Sequence, residues 1–149
     1  MLLALEEARV AFDKGEVPVG CVIVNRCNNE IVSKAHNLMQ QKKNACCHAE
    51  IIAIEEACKQ RNNKNLLDCD IYVTLEPCTM CAAAISYSRI GRLYYGASDF
   101  KQGAVENGVR FYSSKSCTHR PEIYSGINII ESSEIIKSFF GQLRKNRLY

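Results

Sequence analysis

Ile71-Tyr72-Val73-Thr74-Leu75 is a compact, β-branched apolar run stopped by Pro77, and an alanine-rich helical stretch follows from Cys78 to about Tyr87. A further strand at Leu93-Tyr94-Tyr95, closed by Gly96, completes a strand–helix–strand unit. Such a unit must bury apolar strands under helices, which points to an α/β chain. The flanking periodicities agree. Leu2, Leu5, Ala8 and Phe12 recur at helical spacing among charged residues, so the chain opens with an amphipathic helix ended by Gly15-Glu16. Val19 to Val24 and Ile31 to Ala35 flank the turn residues Asn28-Asn29 and read as a hairpin. His48 to Lys59 is helical, with Ile51, Ile52, Ile54, Ala57 and Cys58 as its apolar face, and Gln60 to Asn65 reads as a polar loop. Residues 97 to 120 carry no firm pattern. Ile127 to Ile130 predicts a last strand, and Ser132 or Ser133 caps a final helix through Ile135, Ile136, Phe139, Phe140 and Leu143. The order predicts one mixed sheet with helices on both faces.

At 149 residues and 47% hydrophobic, the chain is sized for one domain with one core. No apolar run approaches the ~18 to 20 residues of a membrane-spanning helix. Met1-Leu2-Leu3-Ala4-Leu5 runs straight into Glu6-Glu7, too short for a signal-peptide core. A cytosolic protein is expected. The net charge of +3 decides little, but its distribution matters. From Ile135 onward Lys137, Arg144, Lys145 and Arg147 stand with no acid, a patch suited to phosphates or a solvated helix end. The nine cysteines (Cys21, Cys27, Cys46, Cys47, Cys58, Cys69, Cys78, Cys81 and Cys117) are read as reduced thiols plus a metal site rather than a disulfide framework.

Two segments carry chemistry: His48-Ala49-Glu50 at a helix start, and Pro77-Cys78-Thr79-Met80-Cys81 where a strand turns into a helix. Cys78 and Cys81 share a helix face in a first turn, where free N–H groups and the dipole favour thiolate. Two thiolates and an imidazole suit Zn²⁺ and leave a fourth, open position for water. Zinc-bound water ionises near pH ~7. Glu50, about 200° round the helix from His48, is placed as a proton carrier beside that position rather than as a ligand. Together they form the H-x-E…P-C-x-x-C signature already known for zinc nucleobase deaminases. Two other uses stay open at this point: a closed structural site completed by Cys46 or Cys47, and a redox role for Cys78 and Cys81.

The chain also resembles the bacterial tRNA-specific adenosine deaminases, within the cytidine/deoxycytidylate deaminase superfamily, over nearly its whole length. The carrying segments are Glu16-Val17-Pro18-Val19-Gly20, His48-Ala49-Glu50, Tyr72 through Cys81, Ser88-Arg89-Ile90-Gly91-Arg92, Tyr95-Gly96-Ala97-Ser98-Asp99 and Phe139-Phe140. The resemblance implies a cytidine-deaminase-like α/β/α sandwich with a five-stranded mixed sheet, a homodimer, and conversion of adenosine to inosine at the wobble position of a tRNA anticodon loop. It implies one Zn²⁺ per subunit on His48, Cys78 and Cys81, with Glu50 protonating N1 and then the leaving ammonia. Asn37 is implied to contact the target nucleoside, Asp99 the ribose or neighbouring backbone, and the basic end (Arg144, Lys145, Arg147) the tRNA backbone. An apolar helix face around Ala82 to Ile85 is the candidate dimer contact. The rival readings are a deaminase of a free base or nucleotide, of guanine or cytosine type, and an RNA-binding module with structural zinc. The chain departs from the family pattern at Val105-Glu106-Asn107, where an acid beside an RNA path is unfavourable, and at Cys46-Cys47, where it invites oxidation.

Overall fold

The computed structural model describes residues 1–146. Helix α1 (Leu2–Asp13) leads into the hairpin β1 (Gly20–Asn25) and β2 (Glu30–His36). A single-turn helix α2 (Met39–Lys42) precedes α3 (Ala49–Arg61). Then follow β3 (Cys69–Leu75), α4 (Thr79–Tyr87), β4 (Arg92–Ala97), a 3₁₀ turn (Phe111–Ser113), β5 (Glu122–Tyr124) and α5 (Ile129–Asn146). The strands form one sheet in the order β2-β1-β3-β4-β5. β1 pairs antiparallel with β2 and β3, whereas β3–β4 and β4–β5 are parallel. This is a five-stranded mixed sheet, and no helix among the described residues is long and apolar enough to cross a membrane.

Alternation along the strands assigns the two faces. Ile23, Ile71, Val73, Leu93 and Tyr95 point into one core with Ala49, Ala53 and Ala57 of α3 and Ala82 and Ile85 of α4, all fully buried. The opposite face takes α1 and α5. A side chain at Gly20 would strike the α1 backbone at Ala4, and one at Gly96 would strike Ser132 of α5, so both helices lie close on the sheet. Small residues permit that approach. On α1 the buried residues are Ala4, Leu5, Ala8 and Ala11, and Leu2 turns to solvent. On α3 alanines at every fourth position face the sheet, and the expected isoleucines 51, 52 and 54 lie half-buried at the margins.

Some expectations are corrected. Ile127–Ile130 is no strand: Ile127 and Asn128 make a turn, Asn128 with φ 54°, and Ile129 begins α5. Ser132 and Ser133 therefore lie inside α5 rather than capping it, and the last strand is the three-residue β5 just upstream. Gly96 continues β4 instead of closing it. Of the Ala82–Ile85 stretch, Ala82 and Ile85 are buried in the chain's own core, and Ala83 and Ala84 remain half-exposed.

Candidate functional site

The site is built where two helices begin. His48 and Cys78 occupy the residues just before α3 and α4, both with extended backbone, and Cys81 is the third residue of α4. Asn37, at the end of the hairpin, fixes the start of α3: its Oδ1 accepts the Ala49 N–H at 2.9 Å, satisfying a donor that has no partner within the helix. The two helix starts thereby bring three side chains together. His48 Nδ1 lies 3.7 Å from Cys78 Sγ and 3.5 Å from Cys81 Sγ. Tetrahedral zinc with ordinary Zn–N and Zn–S bonds separates its nitrogen and sulfur ligands by about 3.6 Å, so the spacing suits such an ion. Among the described residues this trio is the only group of three or more His, Cys, Asp or Glu side chains close enough to hold a metal. Cys46 and Cys47 are outside it, which argues against a closed Cys₃His site. All nine cysteines are free thiols, Cys46 exposed and Cys58 only half-buried.

The protons of the trio are already displaced from their usual places. A hydrogen bond from Cys81 pulls the Cys78 thiol down to about 4, helped by His48. The same pairing with Cys78, together with burial, pushes Cys81 up. His48 is raised, first by its hydrogen bond to Cys78. A divalent cation among these groups takes the place of the shared protons. Glu50 is 3% exposed and faces the same cavity. Burial raises its carboxyl to about 7, against the pull of its own backbone N–H and of His48. An acid poised there can both accept and return a proton near neutral pH.

The cavity above the trio has a volume of ≈ 730 Å³. Asn37 and Asp99 line it, as do Arg144 and Phe140 of α5 and Lys101 and Lys137. Of the basic end, Arg144 reaches the cavity, Lys145 is exposed on α5 away from it, and Arg147 lies outside the described residues. Asn37 offers the cavity its amide nitrogen, because its oxygen is taken by Ala49.

Two acids that sequence reasoning left without a task shape the walls. Glu16 is buried and accepts the N–H groups of Gln40 (3.0 Å) and Gln41 (2.8 Å), which pins α2 beside the cavity. Glu76, the residue before Pro77, gathers the loop that follows β4. Its Oε1 accepts from the backbone of Val105 (3.1 Å), Glu106 (2.9 Å) and Asn107 (3.0 Å). Its Oε2 accepts from the Asp99 N–H (3.0 Å) and the Asn107 side chain (2.7 Å). Burial pushes Glu76 up, but these donors, Asn107 foremost, outweigh it and hold the carboxyl below its ordinary value. The departure at Val105-Glu106-Asn107 is thus explained in part. Asn107 serves Glu76, and Glu106, itself exposed, accepts the hydroxyl of the buried Tyr95. The sequence signal was available: a lone acid beside proline in an otherwise apolar segment needs internal donors.

Glu76→Gln is expected to lose about 3 kcal/mol or more of stability, read from urea denaturation, because either orientation of its amide sets N–H against N–H. A depressed carboxyl pKa also means that this contribution is intact at neutral pH and is lost in acid, as the pH falls through the folded-state value.

Fold and site together define the class. Residues 1–97 match the cytidine and deoxycytidylate deaminase zinc-binding region, a cytidine-deaminase-like fold. The chain is 61% identical over 141 residues to the tRNA-specific adenosine deaminase of Rickettsia typhi, covering 95% of each chain. It is 49% identical over 144 residues to that of Agrobacterium fabrum, covering 97% of this chain and 93% of the relative. A solved structure from a study of A-to-I editing by tRNA:A34 deaminases at the wobble position of transfer RNA superimposes with a TM-score of 0.88 at 50% identity, over 91% of this chain and 96% of that one. The chain belongs to the tRNA-specific adenosine deaminase family.

Proposed function

We propose that the chain hydrolyses adenosine to inosine at the wobble position of a tRNA anticodon loop, with one zinc ion held by His48, Cys78 and Cys81. The observation that carries this reading is the trio at ligand spacing, with the buried Glu50 beside it at the floor of a cavity. The similarity to tRNA-specific deaminases supports the choice of substrate. When bound, zinc supplies acidity to a water and so a nucleophile near neutral pH.

The chain's own residues do the rest. Glu50 takes a proton from the attacking water, delivers it to N1 of the ring, and passes the second to the departing amine. Water's oxygen stays on C6, one of its protons remains on N1, and the other leaves with ammonia. Asn37 turns its amide N–H groups to the nucleoside. Asp99 holds the ribose or the neighbouring backbone: its Oδ1 already accepts from Lys101 and Gln102, which leaves the second oxygen for a hydroxyl. Arg144 lines the cavity and, together with the charges of Lys145 and Arg147, draws in phosphates. An anticodon-loop nucleotide is splayed into such a pocket more cheaply than a base inside a duplex. The proposed assembly is a homodimer, checked by light scattering, where a monomer mass would contradict it.

The deciding experiment offers purified protein a tRNA with adenosine at the wobble position, and separately free guanine, cytosine and nucleosides. Ammonia release with the tRNA alone is expected. Activity confined to a small molecule would overturn the tRNA assignment in favour of a free-base deaminase.

A further inference from the structure

Phe100 is 84% exposed, more than any other large apolar side chain among the described residues, yet it lines the cavity over the candidate site. An aromatic ring left in water is ordinary on a fraying loop, but this loop is bolted at both ends. The Asp99 N–H is held by Glu76. Asp99 Oδ1 accepts the N–H groups of Lys101 at 2.9 Å and Gln102 at 3.1 Å, and the Gly103 N–H closes the turn on the Asp99 carbonyl at 2.9 Å. Gly103 then bridges to Cys78, and a side chain at Gly103 would strike the Asp99 carbonyl and the Glu76 carboxylate. Phe100 therefore stands at the apex of a tight turn anchored to the start of α4. Lys101, Lys137 and Arg144 line the same cavity alongside Glu50, Glu76 and Asp99, and these three cations are the groups there that can take phosphates.

We infer that Phe100 is a substrate-positioning residue whose ring stacks on a base next to the reacting adenosine in a single-stranded RNA segment. The inference rests on the tRNA reading above and deepens it. A held aromatic ring beside cations is what a splayed strand needs: the ring takes the face of any base, and the cations take its phosphates. The contact is made before and during the reaction alike, so it lowers KM rather than raising kcat.

The test is steady-state deamination of an anticodon stem-loop RNA by wild type, Phe100→Ala and Phe100→Trp, on the intact RNA and on RNAs with an abasic sugar on either side of the target adenosine. Phe100→Ala is expected to raise KM about 10-fold or more with kcat within about 2-fold, and Phe100→Trp to restore KM. One abasic RNA should cost wild type the same factor and cost Phe100→Ala nothing further. Equal KM for wild type and Phe100→Ala, or abasic penalties that simply add to the alanine effect, would overturn the inference and leave the tRNA reading standing. If wild type makes no inosine in the intact RNA, both fall. Because Phe100 is exposed, the melting curve of Phe100→Ala is expected to match wild type.

Discussion

Glu50→Gln is expected to slow inosine formation in tRNA by about 10²- to 10⁴-fold while leaving zinc content and melting temperature close to wild type. The expected size follows from the place of the carboxyl. Glu50 is buried at the floor of the cavity, lifted to about 7 by that burial, and excluded from the group whose atoms could hold the metal. Glutamine keeps the shape and the hydrogen-bonding reach but cannot carry a proton from water to N1 and on to the amine. Single-turnover kinetics on an anticodon stem-loop, with metal analysis of the same preparation, checks both halves. A near-normal rate would remove Glu50 from the chemistry. Loss of zinc along with activity would make it a ligand instead.

Cys81→Ala is expected to abolish activity and to lower bound zinc from about one per chain to near none. Cys81 is buried at 3.5 Å from His48 Nδ1, so its removal leaves two ligands, too few for a tight site. Because ligand affinity is stability, added zinc should raise the melting temperature of wild type and leave that of Cys81→Ala unmoved. A chelator should bring wild type down toward the variant. If the variant keeps a full complement of zinc, another sulfur has completed the site, and Cys46 or Cys47, next to His48, would be the first suspects. That result would favour a structural ion over a hydrolytic one.

Both variants act on residues whose pattern is visible in the sequence, and the reason is physical. His-x-Glu and Pro-Cys-x-x-Cys are local, each fixed by one helix start, so the spacing of residues already implies their geometry. The strand–helix–strand unit was legible for the same reason: Ile71 to Leu75 is apolar enough to be buried on both faces. Elsewhere local pattern misled. Ile127 to Ile130 has strand composition, but Asn128 adopts a left-handed conformation and Ile129 and Ile130 go into the first turn of α5. The real β5, Glu122-Ile123-Tyr124, has one aliphatic residue in three and forms by pairing beside β4, a tertiary fact. On α3 the isoleucines drew the eye, whereas tight packing on the sheet selects the alanines. Glu16 and Glu76 stayed without a task because their partners are chiefly backbone N–H groups of α2 and of the loop after β4, distant in sequence, which no spacing records. The partner of Glu106 was hidden for a related reason. That residue, Tyr95, is a neighbour only once β4 and the loop are folded.

The most direct measurement is nucleoside mass spectrometry of a tRNA carrying adenosine at the wobble position, after incubation with the zinc-loaded protein in oxygen-18 water. Adenosine at that position should be replaced by inosine bearing one heavy oxygen, and Glu50→Gln run in parallel should leave it as adenosine. Inosine without the label, or no inosine while a free base is deaminated, would contradict hydrolysis of tRNA adenosine at the site formed by His48, Glu50, Cys78 and Cys81.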